Sequence, residues 1–338
     1  MRAPDFWAED GALATLLAPL GVGHGLAGRL HRALARPVAL GAPVVCVGNL
    51  VAGGAGKTPV VLALVAALSA RGLSVHCLSR GYGGRVSGPR RVDPARDGAA
   101  QVGDEALLLA RAATTWVARD RVAGARAAAD EGAQVVVMDD GFQNPSLVKD
   151  LALIVVDGAY GFGNRRVMPA GPLRETLAGG LARADAVVLL GRDERNLGAG
   201  LGARLPLIAA RLAPRPGSER LSGRRVLAFA GIGRPEKFFA TLEELGAEVV
   251  ETRSFPDHHP YRADEIESLR ARAAELDALP VTTEKDAVRL EPDLRAGLEV
   301  LAVAVEWRDP EALQALLKPI IAAAAQSSAQ AGHTARSP

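Results

Sequence analysis

The sequence predicts an α/β fold: a mostly parallel sheet covered by helices, followed by a second, smaller α/β domain. Three observations predict it. Short uninterrupted runs of Val, Leu and Ile alternate with Ala/Leu-rich stretches of helical length, the pattern of strands buried on both faces. A Pro, Gly, Ser and Arg-rich stretch across 212–225 separates two such series. The 338 residues are 49% apolar and 23% charged, which suits a globular chain long enough for two domains.

Residues 44–47 read as the first strand, running into a glycine loop and a helix through 62–68. A second strand follows at 74–79, then a helix at 105–113, a short strand at 115–117 and a helix at 121–131. Strands at 135–138, 153–156 and 186–190 complete the first series. The second series has a strand at 226–230, a helix at 238–245, and strands at 249–250 and 300–305. The chain thus divides into an N-terminal segment (1–40), a main domain (41–215), a smaller domain (222–322) and a polar, disordered tail (323–338).

Lys and Arg number 40 against 38 Asp and Glu, a net charge of +2, so binding nucleic acid through bulk charge is excluded as a function. Cys46 and Cys77, both in apolar runs, cannot build a disulfide framework or a four-ligand zinc site. They suit a reduced, cytosolic protein. Asp5, Glu9 and Asp10 stand where a secretory signal would be positive.

Between Gly11 and Gly28 there is no Asp, Glu, Lys or Arg; Arg29, His31, Arg32 and Arg36 follow. Leu13, Leu16, Leu17 and Leu20 fall on one face of a helix. Taken alone, that stripe reads as a helix packed on its own domain. The other reading is a helix lying in a membrane interface with arginines at the headgroups.

The first strand enters Gly48-Asn49-Leu50-Val51-Ala52-Gly53-Gly54-Ala55-Gly56-Lys57-Thr58. Strand, glycine loop, Lys-Thr and helix is the order a phosphate-binding loop needs, so the main domain is P-loop NTPase-like. Gly53, Gly54, Ala55 and Gly56 would turn backbone N–H groups onto the phosphates of a nucleoside triphosphate, Lys57 would reach the β- and γ-phosphates, and Thr58 would bind Mg²⁺. Val51 departs from the pattern, which begins with Gly. Asp139 and Asp140 end the buried 135–138 strand, at the sheet edge where the metal's acidic partner belongs. This reading requires Thr58 and Asp139 to share one cavity.

Further segments are too polar for core: Leu78-Ser79-Arg80-Gly81-Tyr82-Gly83-Gly84, Gly103-Asp104-Glu105, Gly141-Phe142-Gln143, Pro169-Ala170-Gly171-Pro172-Leu173-Arg174-Glu175, Phe255-Pro256-Asp257-His258-His259-Pro260-Tyr261 and Thr283-Glu284-Lys285-Asp286. With the loop, and with the Gly231-Ile232-Gly233-Arg234-Pro235-Glu236-Lys237-Phe238-Phe239 run, this ordered set resembles the tetraacyldisaccharide 4′-kinase family of lipid A biosynthesis, over about residues 5–305. The resemblance implies ATP-dependent phosphorylation of the 4′-hydroxyl of an acylated glucosamine disaccharide 1-phosphate. It also implies a peripheral protein on the cytoplasmic face of the bacterial inner membrane, held at the lipid surface by its N-terminal helix. The smaller domain would then close over the site. No protein partner is implied.

The resemblance assigns Asp104 as general base with His258, less readily His259, as its partner. A carboxylate with a pKa of about 4 needs such help. Lys57 and Arg174 would stabilise charge on the transferred group. Asp139, Asp140 and Glu175 would hold Mg²⁺, and Asn49, Arg80, Tyr82 and Gln143 would line the donor or acceptor site. Many members carry a His after the Gln143 position and a hydroxyl residue at position 55, where this chain has Asn144 and Ala55. The Thr283–Asp286 segment has no physical account from sequence.

Rival readings are weaker. A ParA- or iron-protein-type ATPase would carry Lys where Ala52 stands, and a GTPase would carry an N/T-K-x-D motif. A membrane-associated nucleotide-binding scaffold would not need Asp104, His258 or Arg174.

Overall fold

The structure, a computed structural model, describes residues 4–202 and 204–334. Among these the strands are β1 Val44–Gly48, β2 Val75–Ser79, β3 Arg90–Arg91, β4 Thr115–Val117, β5 Val135–Asp139, β6 Leu151–Asp157, β7 Ala186–Leu190 and β8 Leu207–Pro214. They continue with β9 Arg225–Ala230, β10 Glu248–Ser254, β11 Leu279–Thr283, β12 Glu299–Leu301 and β13 Val303–Trp307. The large sheet has the order β13-β8-β7-β6-β1-β5-β2-β4-β3 and is parallel except at its edges, where β3 and β13 run antiparallel. The small sheet, β10-β9-β11-β12, is wholly parallel.

The apolar runs follow from cover on both faces. Alternate residues of β1 serve opposite cores: Val44 and Cys46 join Val136, Met138 and Ile154, while Val45 and Val47 join Val60, Leu64, Val137 and Leu153. The chain builds β2, β4 and β5 on one side of β1 and β6, β7 and β8 on the other. The carboxyl end of β1 is therefore the topological switch point, where open α/β sheets bind ligands.

The boundaries differ from the sequence expectation at the C-terminal end. The apolar run 300–305 is two strands in different sheets: β12 pairs with β11, and after Ala302 the chain crosses back so that β13 pairs with β8. The helix Pro310–Thr334 then lays Leu313, Leu317, Ile320 and Ala324 on the large sheet's core. The 222–322 unit thus ends near Ala302, and 303–334 belongs to the large lobe. Within the expected disordered tail, 323–334 is helical; 335–338 lies outside the described residues. The proposed linker 212–225 is partly ordered: Leu212 to Pro214 end strand β8, Ser218–Leu221 form a 3-10 turn, and Arg225 begins β9.

The N-terminal helix Ala12–Leu34 packs through small residues. Ala14, Gly21 and Gly25 are buried, and a side chain at Gly21 would meet the Val167 carbonyl oxygen at 2.5 Å. The leucine stripe faces outward instead, with Leu16 75% and Leu20 62% exposed, joined by Leu13, Val22, Leu26, Leu30 and Leu34. Small residues permit the close approach to Val167 and Ala170, and that leaves the large apolar side chains uncovered. No helix among the described residues is long and apolar enough to cross a membrane.

Candidate active site

The loop after β1 is held open by two glycines in left-handed conformations, Gly53 at φ +114° and Gly56 at φ +80°. Gly56 ends the loop directly before the helix Lys57–Ser69, whose first N–H groups face the cradle. Val51 fits because it forms a β-bridge with Leu173; Ala52 donates to the Pro172 carbonyl, and Arg174 N–H to that of Leu50. The Pro169–Glu175 segment is therefore a backbone splint for the loop, and it carries Arg174 to the site.

Thr58 Oγ1 lies 3.3 Å from Asp139 Oδ2 in a buried contact, so the two groups meet at one place instead of facing separate surfaces. Asp139 Oδ1 is buried with no hydrogen-bond partner. Burial pushes the Asp139 carboxyl up to about 7, Glu105 adds to the rise, and Lys57 opposes it. An orphaned buried carboxylate oxygen beside a hydroxyl and a second carboxylate is a donor set that fits Mg²⁺. Burial would also raise Asp140, but Lys57 and Arg174 outweigh it and hold that carboxyl below its ordinary value. Arg174 Nη1 donates to Asp140 Oδ1 at 2.8 Å, and Lys57 Nζ lies 3.7 Å from the same oxygen.

The second cluster is assembled across the lobes. Asp104 opens the helix Asp104–Ala110 and is only 4% exposed. Its Oδ2 is 2.9 Å from His258 Nδ1 and accepts from Arg289 Nε at 2.8 Å. Burial would raise the Asp104 carboxyl; the His258 hydrogen bond, Lys285 and Arg289 reverse this and hold it far below the carboxylate range. His258 itself sits at φ +60°. His259 is turned away, with its Nε2 3.0 Å from Glu265 Oε2 and its ring stacked on Phe255. Of the two histidines, His258 is thus the partner of Asp104. Glu105 follows in the chain and adds to the rise of Asp139. Across the lobes, a side chain at Gly233 would meet Gly54 N of the glycine loop at 3.4 Å and Asp257 Oδ2, next to His258, at 3.6 Å, so the dyad's loop faces the glycine loop.

A model of the tetraacyldisaccharide-1-P 4′-kinase family matches residues 13–322. The chain belongs to this family. The tetraacyldisaccharide 4′-kinase of Rhodospirillum centenum is 58% identical over 327 residues, spanning 95% of this chain and 97% of its own length. That of Rhodospirillum rubrum is 57% identical, spanning 95% and 98%. Among solved structures, an "apo" form LpxK from Aquifex aeolicus in complex with ATP is similar at 28% identity and a TM-score of 0.73, covering 91% of this chain and 99% of that one.

Other residues expected in the site of this 4′-kinase have varied positions. Glu175 is not free for a metal: it is 1% exposed and its carboxylate is taken by Arg183, Arg32 (3.3 Å) and Gln143 (3.3 Å). The reason is its neighbourhood of guanidinium groups, which no local motif displays. Asn49 does not line a substrate surface. It is fully buried and braces the loop, donating to the Gly53 carbonyl at 3.3 Å. Gln143 braces it further by donating to the Asn49 carbonyl at 2.9 Å. Tyr82 is exposed, with its ring 5.2 Å from that of His258, at the mouth of the cleft. Arg80 is exposed just past the end of β2. Sequence reasoning missed Arg289. Its signal was spacing, since it follows Asp286 by three residues and Lys285 by four, one face of a helical turn.

Proposed function

We propose that the chain transfers the γ-phosphate of ATP to the 4′-hydroxyl of a tetraacyldisaccharide 1-phosphate. The observation that carries this reading is the Asp104–His258 pair set beside the Thr58–Asp139 cavity, a base facing a phosphate cradle. Asp104 accepts the hydroxyl proton as the sugar oxygen forms its bond to phosphorus. The bond from the γ-phosphorus to the β,γ-bridging oxygen breaks, and ADP leaves. An Asp held so far below the usual range is a weak base. It suits a loose transition state, in which orienting the hydroxyl matters more than early proton removal. His258 keeps the carboxylate aimed. Lys57 and Arg174 lie on Asp140 and are placed to stabilise charge on the moving group. Thr58, Asp139 and Asp140 would hold Mg²⁺, which when bound supplies charge neutralisation on the phosphates.

The test is labelled ATP with a tetraacylated disaccharide 1-phosphate in detergent micelles. Transfer is expected from the parent, and Lys57→Ala is expected to lower kcat by about 10²–10³-fold, the usual cost of one preorganised charge-stabilising donor. Full activity in Lys57→Ala would remove that role.

The exposed leucine face supports peripheral attachment at the cytoplasmic face of the inner membrane, with Arg29, His31 and Arg36 exposed along the same segment. Leu16→Glu with Leu20→Glu is expected to weaken binding to anionic vesicles by about tenfold or more, since each Leu taken from lipid forfeits about 1.5–3 kcal/mol. The KM for ATP is expected to stay unchanged. Vesicle sedimentation checks this, and undiminished binding would refute attachment through this face.

A further inference from the structure

The Thr283–Asp286 segment has a structural position that explains its polarity. Asp286 is fully buried, and its Oδ1 accepts from Gly231 N–H (3.0 Å), the Tyr261 hydroxyl (3.0 Å) and Arg289 Nη1 (2.8 Å). Thr283 Oγ1 lies 2.6 Å from the other oxygen. Arg289 also donates from Nη1 to the Gly231 carbonyl at 2.8 Å, so its guanidinium is fixed before it reaches Asp104. Beside it, Lys285 Nζ is 3.1 Å from Glu105 Oε1, 3.5 Å from His258 Nε2 and 3.9 Å from Asp257 Oδ1. Val288 packs with Val102, Leu107 and Val117 of the large lobe and seats the segment there.

Among the described residues, every cation touching the Asp104–Glu105 pair comes from the small lobe. We propose that Lys285 and Arg289 are positioning residues for the reaction, a cationic clamp that sets the Asp104 carboxylate when the lobes seat. Arg289 and His258 both occupy Oδ2. That leaves Oδ1, whose one bond among the described residues is from the Glu105 backbone N–H at 2.9 Å, with a lone pair for the acceptor hydroxyl. The charged groups around the dyad are Glu105 on its own helix, Asp257 on the His258 loop, and Lys285, Asp286 and Arg289 on the segment; Tyr82 flanks the imidazole. The two cations hold Asp104 ionised, so removing either one makes the carboxyl easier to protonate. This rests on Asp104 acting as the base.

The experiment compares Arg289→Gln, Arg289→Lys, Lys285→Met and Asp104→Asn with the parent, measuring kcat and the KM for ATP at about pH 8 and following Asp104 protonation by carboxyl ¹³C NMR of aspartate-labelled protein from about pH 7 down into acid. Arg289→Gln is expected to lower kcat by about tenfold or more and to raise the pH at which Asp104 protonates by about one unit, with the KM for ATP within about twofold. Lys285→Met is expected to raise that pH the same way, and Arg289→Lys to restore it. Asp104 protonating at the parent's pH in Arg289→Gln and Lys285→Met overturns the clamp. So does an Arg289→Lys variant displaced as far as Arg289→Gln. If Arg289→Gln fails to bind ATP because it does not fold, Lys285→Met decides, since Lys285 is partly exposed and its contacts are with side chains only. An Asp104→Asn enzyme at the parental rate overturns the base reading itself. An inactive Asp104→Asn beside unshifted clamp variants overturns the clamp alone.

Discussion

Asp104→Asn is expected to cut kcat by about 10²–10⁴-fold, the range general-base catalysis supplies, while ATP binding persists. The amide keeps the size of the carboxylate and an oxygen for His258 and Arg289, so the cleft retains its shape. What it loses is the charge that accepts the hydroxyl proton. The same variant has a stability signature with a definite sign. In the folded chain the Asp104 carboxyl lies far below its ordinary value, because His258, Lys285 and Arg289 favour the ionised form over the burial cost. A depressed carboxyl stabilises the fold fully above the unfolded value of about 4 and loses that contribution as acid protonates it. The parent therefore melts above Asp104→Asn near neutral pH, and the gap narrows as the pH falls below about 4. Melting curves at pH 7 and 3 with single-turnover rates check both halves. Parental turnover, or a gap that widens in acid, contradicts the assignment.

The parts of this design that were readable in the sequence are those carried by local chemistry. Gly53 and Gly56 announce left-handed backbone, and Asp139 and Asp140 stand at the end of an unbroken apolar strand, so cradle and acidic tip are visible as short words. Asp104 and His258 came from the resemblance; neither has a local physical signature, since the pair is 154 residues apart and meets only when the lobes pack. Glu175 misled for the same reason: Arg32, which neutralises it, comes from the N-terminal helix and Arg183 from eight residues onward. The run 300–305 reads as one strand because hydropathy does not record which sheet a residue joins, and the crossing at Ala302 changes no local pattern. The leucine stripe of the N-terminal helix was legible as a stripe but not in its direction. Gly21 and Gly25 decide that, because only small residues let the helix approach Val167. The Thr283–Asp286 segment was opaque because its partners, Gly231, Tyr261 and Glu105, are scattered along the chain, Glu105 lying 180 residues from Lys285.

Asp139→Asn is expected to do two opposite things: to stabilise the ligand-free protein at pH 8 and to lower phosphate transfer by about 10²–10³-fold, several kcal/mol of charge stabilisation. The first follows from burial. Asp139 is 2% exposed, its Oδ1 lacks a partner, and its carboxyl is pushed up to about 7. A raised carboxyl leaves the fold most stable while protonated, and ionising it becomes a cost that grows as the pH climbs from about 4 through about 7. Asn carries no charge and keeps an oxygen for the Thr58 hydroxyl, so it escapes that cost. The parent is thus expected to melt below Asp139→Asn at pH 8 and level with it near pH 4. Adding ATP with Mg²⁺ reverses the order, because only the parent gains the full binding free energy of the metal–nucleotide pair. A carboxylate buried without a partner for one oxygen is held against its own preference, a cost that a bound divalent cation would relieve. Asp139→Asn melting below the parent at pH 8 without ligand, or transferring phosphate at the parental rate, rules that account out.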